Sequence, residues 1–301
     1  MLKILMFFAM IAWGSTWVSA KILGKYVSEH ELIFWRFLLS AIGLGTVMMF
    51  LRIPFKLDKK NSLIAVMSGL ILIAYNFFFF SGCYKGNAGF GGVLVTTLNP
   101  IITFILVWII ARGKSISRLE FFSLVVGACG TLMMLEVWKY GFSVWRMDGT
   151  KWFLIAAATW PFLTIVSSKF SGESALTLSF YMFLIASFLD LVIFQHFHVS
   201  HVEKFDYIFW LNLLLLSLFG TTFGTSVYFI STSKWGSKRA SSYFFLVPFS
   251  AAIFAHAFLG ENLSIYTIIG GTLSVVAIYL INGYNLLTIL KVFKIESRVK
   301  E

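Results

Sequence analysis

Unbroken apolar runs, each followed by a short polar connection, set the rhythm of the chain. They fall near residues 2–24, 32–51, 62–83, 88–111, 120–137, 150–169, 175–195, 207–231, 240–260 and 265–286. Each is close to the roughly 20 residues that a helix needs to cross the hydrocarbon layer. Runs such as LIAVMSGLILIAYNFFFF (63–80) show no alternation of apolar and polar positions, and bilayer-crossing strands would be about half as long and would alternate. The pattern predicts an all-α integral membrane fold of ten transmembrane helices. Connections of at most about a dozen residues leave no room for a separate soluble catalytic domain.

A second pattern runs over the first. WGSTWVSAK (Trp13 to Lys21) is echoed by WPFLTIVSSK (Trp160 to Lys169). Lys21 to Lys169 and Pro100 to Pro248 are both shifts of 148, and Trp13 to Trp160 is 147. One period thus relates two sets of five spans. Because five is odd, the second set enters the bilayer from the opposite face, which makes two inverted five-helix repeats, the arrangement of many secondary transporters. The expected organisation is a first repeat over 1–140, a second over 149–286 and a basic cytoplasmic tail over 287–301. The VSA before Lys21 resembles a signal-peptide cleavage site, but a signal has no reason to recur in mid-chain, so the first span is expected to stay in the mature protein.

Composition agrees. Of 301 residues 59% are hydrophobic and 12% charged, with a mean hydropathy of +0.87, far too little polar surface for a soluble domain of this size. With the N-terminus in the cytoplasm, 16 of the 24 basic residues fall on that side, 7 on the other, and Arg36 lies inside the second span. The positive-inside rule then places both termini in the cytoplasm, with a bacterial inner (plasma) membrane as the expected location. The net charge of +11 has this topological origin, so no nucleic-acid partner is expected; the expected partners are the lipid bilayer and a small-molecule substrate. Cys83 and Cys129 both lie in predicted spans, where neither a structural disulfide nor a metal site is expected.

YKGNAGFGGVLVTTLNPIITFIL and its partner GSKRASSYFFLVPFSAAIFAHAFLGENLS resemble the two repeats of the drug/metabolite transporter superfamily, of the EamA-like ten-helix type. AWGSTWVSAK, FWRFLLSA, the prolines Pro100 and Pro248 and FLGENLSIYTIIGGTLS occur in the matching order, so the resemblance covers nearly the whole chain. It departs at one place: LGENLS of the second copy stands against ARGKSIS in the first, leaving Glu261 without an acidic counterpart. The resemblance implies a carrier in which helices 1, 3, 4, 6, 8 and 9 surround a central cavity and helices 5 and 10 lie outside. Members move amino acids, other small metabolites and nucleotide-linked sugars, so kinship alone does not name a substrate.

Candidate site residues follow from polarity at mid-bilayer depth, which is costly unless it faces a cavity or another helix. Asn76, Asn99, Thr225 and Tyr228 fit that description, while Trp13, Trp160 and Tyr243 offer flat walls with a polar edge. These seven form the expected substrate-binding set. Pro100, Pro161 and Pro248 lie within spans as kinks or hinges. Arg36, Asp190 and His256 are ionisable groups inside spans; Arg36 and Asp190 sit at similar depth, which leaves pairing or separate local partners open, and His256 is within reach of neutral titration or a structural hydrogen bond. Gly220 and Gly224, spaced G-x-x-x-G, predict a close helix approach. GNAGFGG (Gly86–Gly92) lacks the strand and the Lys-Ser/Thr of a phosphate loop. His196, His198 and His201 mark a solvated loop rather than a metal site, and His201 with Asp206 shows an H-x4-D spacing used by some acyltransferases. No cofactor or metal is expected. A carrier exporting amino acids or related metabolites by alternating access is the leading expectation; a membrane-embedded acyltransferase-like enzyme and a non-transporting scaffold are the alternatives.

Overall fold

A computed structural model describes residues 1–111, 117–140, 146–197, 199–200 and 202–281. The basic tail 287–301, His198 and His201 lie outside the described residues. Ten long helices order the chain: α1 Leu2–Leu23, α2 Glu29–Phe50, α3 Lys59–Lys85, α4 Ala88–Ile110, α5 Arg118–Met134, α6 Thr150–Ser167, α7 Ala175–Ile193, α8 Tyr207–Trp235, α9 Ser237–Leu259 and α10 Ile265–Ile281. A single-turn helix, Val137–Tyr140, follows α5. Eight of the ten are long and apolar enough to cross a membrane; α5 and α10 are shorter, at 17 residues each.

The boundaries are chemical. Ser28, Asp58, Asn87, Ser174 and Asp206 each stand before an apolar run and accept a backbone N–H of the first turn. Ser117 and Glu120 form a reciprocal capping box on α5. These side chains satisfy donors that the helix itself leaves unpaired. Gly236 and Gly260 end α8 and α9 with positive φ, 83° and 68°, a conformation that favours glycine.

Packing repeats when the halves are exchanged. α1 packs on α8 and α9, and α6 packs in the corresponding way on α3 and α4; α2 meets α7, α4 meets α9 and α5 meets α10. Each of the last three is a helix against its own counterpart, so all three lie across the line that relates the halves. α5 and α10 pair mainly with each other at the side of the bundle. The core is aromatic, with Trp17, Phe37, Phe80, Phe153, Phe183, Tyr228 and Phe244 all essentially inaccessible. The outside is apolar too: Phe50, Phe121, Phe219 and Phe258 are exposed. That exposure would promote aggregation in water and is what a lipid-facing surface requires.

Two helices depart from the uniform spans of the sequence pattern. Leu215–Thr225 within α8 is a π-helix of 11 residues, a widened form that is rare and often found at functional sites. Thr221 and Thr222 donate their hydroxyls to the carbonyls five residues back, Leu216 and Ser217, at 2.9 and 3.0 Å, which matches the wider turn. Helix α9 is interrupted by a 3-10 turn at Tyr243–Leu246 before Val247–Leu259 resumes the α form. Pro248 therefore lies at the start of that last segment rather than mid-helix, because its missing N–H and its ring exclude a regular α turn behind it. Pro100 and Pro161, by contrast, sit inside continuous helices.

Candidate functional site

The two tryptophans that the repeat makes equivalent touch. Trp13 of α1 and Trp160 of α6 meet edge to face with ring centroids 5.3 Å apart. A residue in contact with its own counterpart lies near the pseudo-two-fold line, so this pair marks the centre of the bundle. Tyr228 and Phe244 complete the cluster, 5.3 and 4.9 Å from Trp13, and Tyr75 lies 4.6 Å from Trp160. Edge-to-face pairs of this kind hold aromatic walls in fixed orientations.

The walls enclose a small cavity reached from both halves: Trp13, Thr16, Trp17, Arg36, Tyr75, Phe79 and Thr96 from the first, Trp160, Thr225, Phe244 and Val247 from the second. Its volume is about 30 Å³, enough for about two waters. An organic solute enters only if the helices move apart. The close approach of α1 to α8 comes from the predicted glycine pair. A Cβ on Gly220 would collide with Thr16 and one on Gly224 with Trp13, and the freed Gly220 carbonyl accepts the Trp13 indole N–H at 2.8 Å.

Arg36 is the charged residue of the cavity wall, and it is 7% exposed. Its Nε donates to Thr221 Oγ1 and its Nη1 to Asn76 Oδ1, each at 2.6 Å. The π segment delivers Thr221 to this contact, while Asn76 is braced by its own bond to the Leu72 carbonyl at 2.8 Å. Phe37 and Phe80 flank the guanidinium at 5.5 and 5.7 Å. Among the described residues no carboxylate pairs with it.

Asp190 is elsewhere. It accepts from His30 at 2.8 Å, with the imidazole stacked between Phe77 and Phe194 at 4.9 and 4.1 Å. Arg36 and Asp190 thus take separate partners. His30, absent from the candidate set, is the residue that sequence reasoning missed.

The other candidates scatter. Trp13, Trp160, Thr225 and Arg36 line the cavity; Tyr228 packs on the two tryptophans and bonds Thr164 at 2.8 Å; Asn76 stands behind Arg36. Tyr243 is not on the cavity wall but stacks on Trp235 at 5.7 Å, because the 3-10 turn swings it toward the end of α8. Asn99 is fully buried with neither amide atom hydrogen-bonded, away from the cavity lining. His256 is exposed and bonds the Glu261 carbonyl at 2.7 Å.

Polar ties hold the start of α4 and both ends of α9. Where α3 meets α4, Lys21 donates to the Gly86 carbonyl at 2.6 Å, and the Glu261 carboxylate accepts from the backbone N–H groups of Ala88 and Gly89 at 3.3 and 3.0 Å. Glu261 thereby supplies negative charge to the positive end of α4. At the opposite end Lys238 pairs with Glu120 at 3.2 Å. Asp206 is engaged as the cap of α8, accepting from Phe209 N and from Tyr26 Oη at 3.0 Å each. Beside the α9–α10 connection, Ser264 and then Lys139 hold the Glu136 carboxyl below its ordinary value. No group of three His, Cys, Asp or Glu side chains with metal-binding placement occurs among the described residues.

A WAT1-related chloroplastic protein of Arabidopsis thaliana is 29% identical over 68% of this chain, a match that spans about half, 51%, of that longer protein. An uncharacterized transporter of Archaeoglobus fulgidus is 22% identical over 92% of this chain and 96% of its own length, and the Bacillus subtilis uncharacterized transporter YyaM is 22% identical over 90% of each. A solved crystal structure superimposes with a TM-score of 0.70 at 16% identity, covering 93% of this chain and 95% of the other, a likeness of fold alone. The sequence profile of the EamA-like transporter family matches residues 2–136 and again 147–283. With both halves of its ten-helix membrane fold so matched, the chain belongs to the EamA-like transporter family, within the drug/metabolite transporters.

Proposed function

We propose that the protein exports a small organic solute, with amino acids and related metabolites foremost, by alternating access between two inverted halves spanning 1–140 and 149–286. The observation that carries this reading is the central cavity lined from both halves around the Trp13–Trp160 contact. A site on the line relating two similar bundles is offered equally to either side when one bundle rocks against the other. At about 30 Å³ the cavity is too small for an organic solute, so binding must be coupled to helix separation. The glycine-mediated contact of α1 with α8 and the proline-interrupted α9 are the elements that would yield, with Pro100 and Pro161 as further flexure points. The positive-inside distribution supports cytoplasmic termini in a bacterial inner membrane.

The acyltransferase-like alternative loses its support at Asp206, which is committed to capping α8 and to Tyr26. Flux measured in proteoliposomes with a panel of labelled amino acids and metabolites tests the carrier reading. Saturable flux that requires the protein is expected for at least one solute; its absence across the whole panel would refute the reading.

A further inference from the structure

Resting on the carrier reading, we propose that Arg36 is the anion-recognition residue of the central site, and that the solutes it accepts are small monocarboxylates, amino acids among them. A guanidinium stays protonated in almost any protein environment, so this buried side chain is a permanent positive charge in the wall of the cavity. Asn76 and Thr221 give it dipoles and no countercharge. A buried charge without an opposite charge is expensive, and bringing one in on a ligand recovers that cost at the moment of binding.

The donors are arranged for such a ligand. Nε and Nη1 are tied back to the protein, whereas Nη2 makes no hydrogen bond among the described residues. On the same wall the Trp160 indole N–H has no partner at ordinary hydrogen-bond distance, with the Tyr228 hydroxyl its nearest polar neighbour. A planar guanidinium edge matches the two oxygens of a carboxylate. Among the described residues Arg36 is the one charged residue on the lining, so a single negative charge neutralises it, and a polyanion would remain uncompensated. The surrounding Trp13, Trp17, Tyr75 and Phe244 supply apolar surface for the rest of the molecule, and aromatic faces also accept the ammonium of a zwitterion.

Thermal unfolding of the full-length protein in detergent tests the assignment, using L-amino acids and short-chain monocarboxylates each beside its amide, for instance leucine with leucinamide and butyrate with butyramide. Carboxylates are expected to raise the melting temperature of the wild type and their amides to leave it unchanged. Arg36→Lys should weaken the carboxylate dissociation constant about tenfold, and Arg36→Gln about 100-fold. Asn76→Asp gives up the bond to the Leu72 carbonyl but sets an internal carboxylate beside Arg36, so wherever it unfolds cooperatively it should abolish the shift, which keeps the assignment testable if Arg36→Gln fails to fold. Equal stabilisation by amides, an equal shift with chloride or sulfate, a shift retained in Asn76→Asp, or no shift with any carboxylate would each overturn the proposal. Flux separates the two readings. Carboxylate transport undiminished in Arg36→Gln vesicles overturns the Arg36 assignment alone. Wild-type vesicles inert to every solute, while carboxylates still bind through Arg36, overturn the carrier reading alone.

Discussion

Asp190 and Arg36 are both buried charges within the membrane bundle, and they are served in opposite ways. Asp190, fully inaccessible, has an imidazole in direct contact, with His30 held between two phenyl rings and partly open to the surface at 25%. Arg36 has an amide and a hydroxyl, and beyond them a cavity. A charge hydrogen-bonded to a side chain of the protein itself fixes one conformation, because separating the two strands both members. A charge met only by dipoles leaves part of its interaction energy to be supplied by something else. The difference separates a clamp between α2 and α7 from a wall residue at the centre of the molecule.

Substitutions break this contrast at graded expense. The largest loss is expected from Asp190→Ala, which leaves His30 without its acceptor and should cost about 3 kcal/mol, the upper end for a hydrogen bond to a charged group, read as a lowered melting temperature with flux per folded molecule preserved. Thr221→Val takes one acceptor from Arg36 inside the π segment. It should cost about 2 kcal/mol, the value of a hydrogen bond to a charged group, with solute affinity altered because the guanidinium is no longer held. Glu261→Gln tests a third kind of charge, one that is partly exposed and balanced by a helix end. The expected loss there is about 1 kcal/mol, and it should shrink in high salt, as the Asp190 effect should not.

The fold was legible in the sequence to the extent that composition determines it. Apolar runs of bilayer length marked the ten helices, polar residues before them became the caps, and the 148-residue shift between Lys21 and Lys169 foretold the exchange symmetry of the packing. Gly220 and Gly224 were placed correctly at a close helix contact, because G-x-x-x-G states its own geometry. Direction around a helix was harder to read. The sequence placed Arg36 and Asp190 at similar depth, but His30 and Arg36, six residues and so about 9 Å apart along α2, point about 120° apart at 100° per residue, and it is His30 that meets Asp190 of α7. The π segment Leu215–Thr225 left no compositional trace, since its residues suit an ordinary α-helix equally; its wider turn shows only in which carbonyls Thr221 and Thr222 reach. Tyr243 was misplaced for a related reason. Its aromatic ring with a polar edge suggested a cavity wall, and the 3-10 turn before Pro248 carries it to Trp235.

Two-sided access to the centre is the claim on which the transport account stands. A single cysteine at Thr225, in a Cys83→Ala and Cys129→Ala background, places a thiol on the cavity wall where both halves meet. Labelling with a membrane-impermeant thiol reagent, applied in turn to right-side-out and inverted vesicles, should modify it from either side, and a bound solute should slow both reactions. Modification from one side only, in the presence and absence of solute alike, would contradict alternating access.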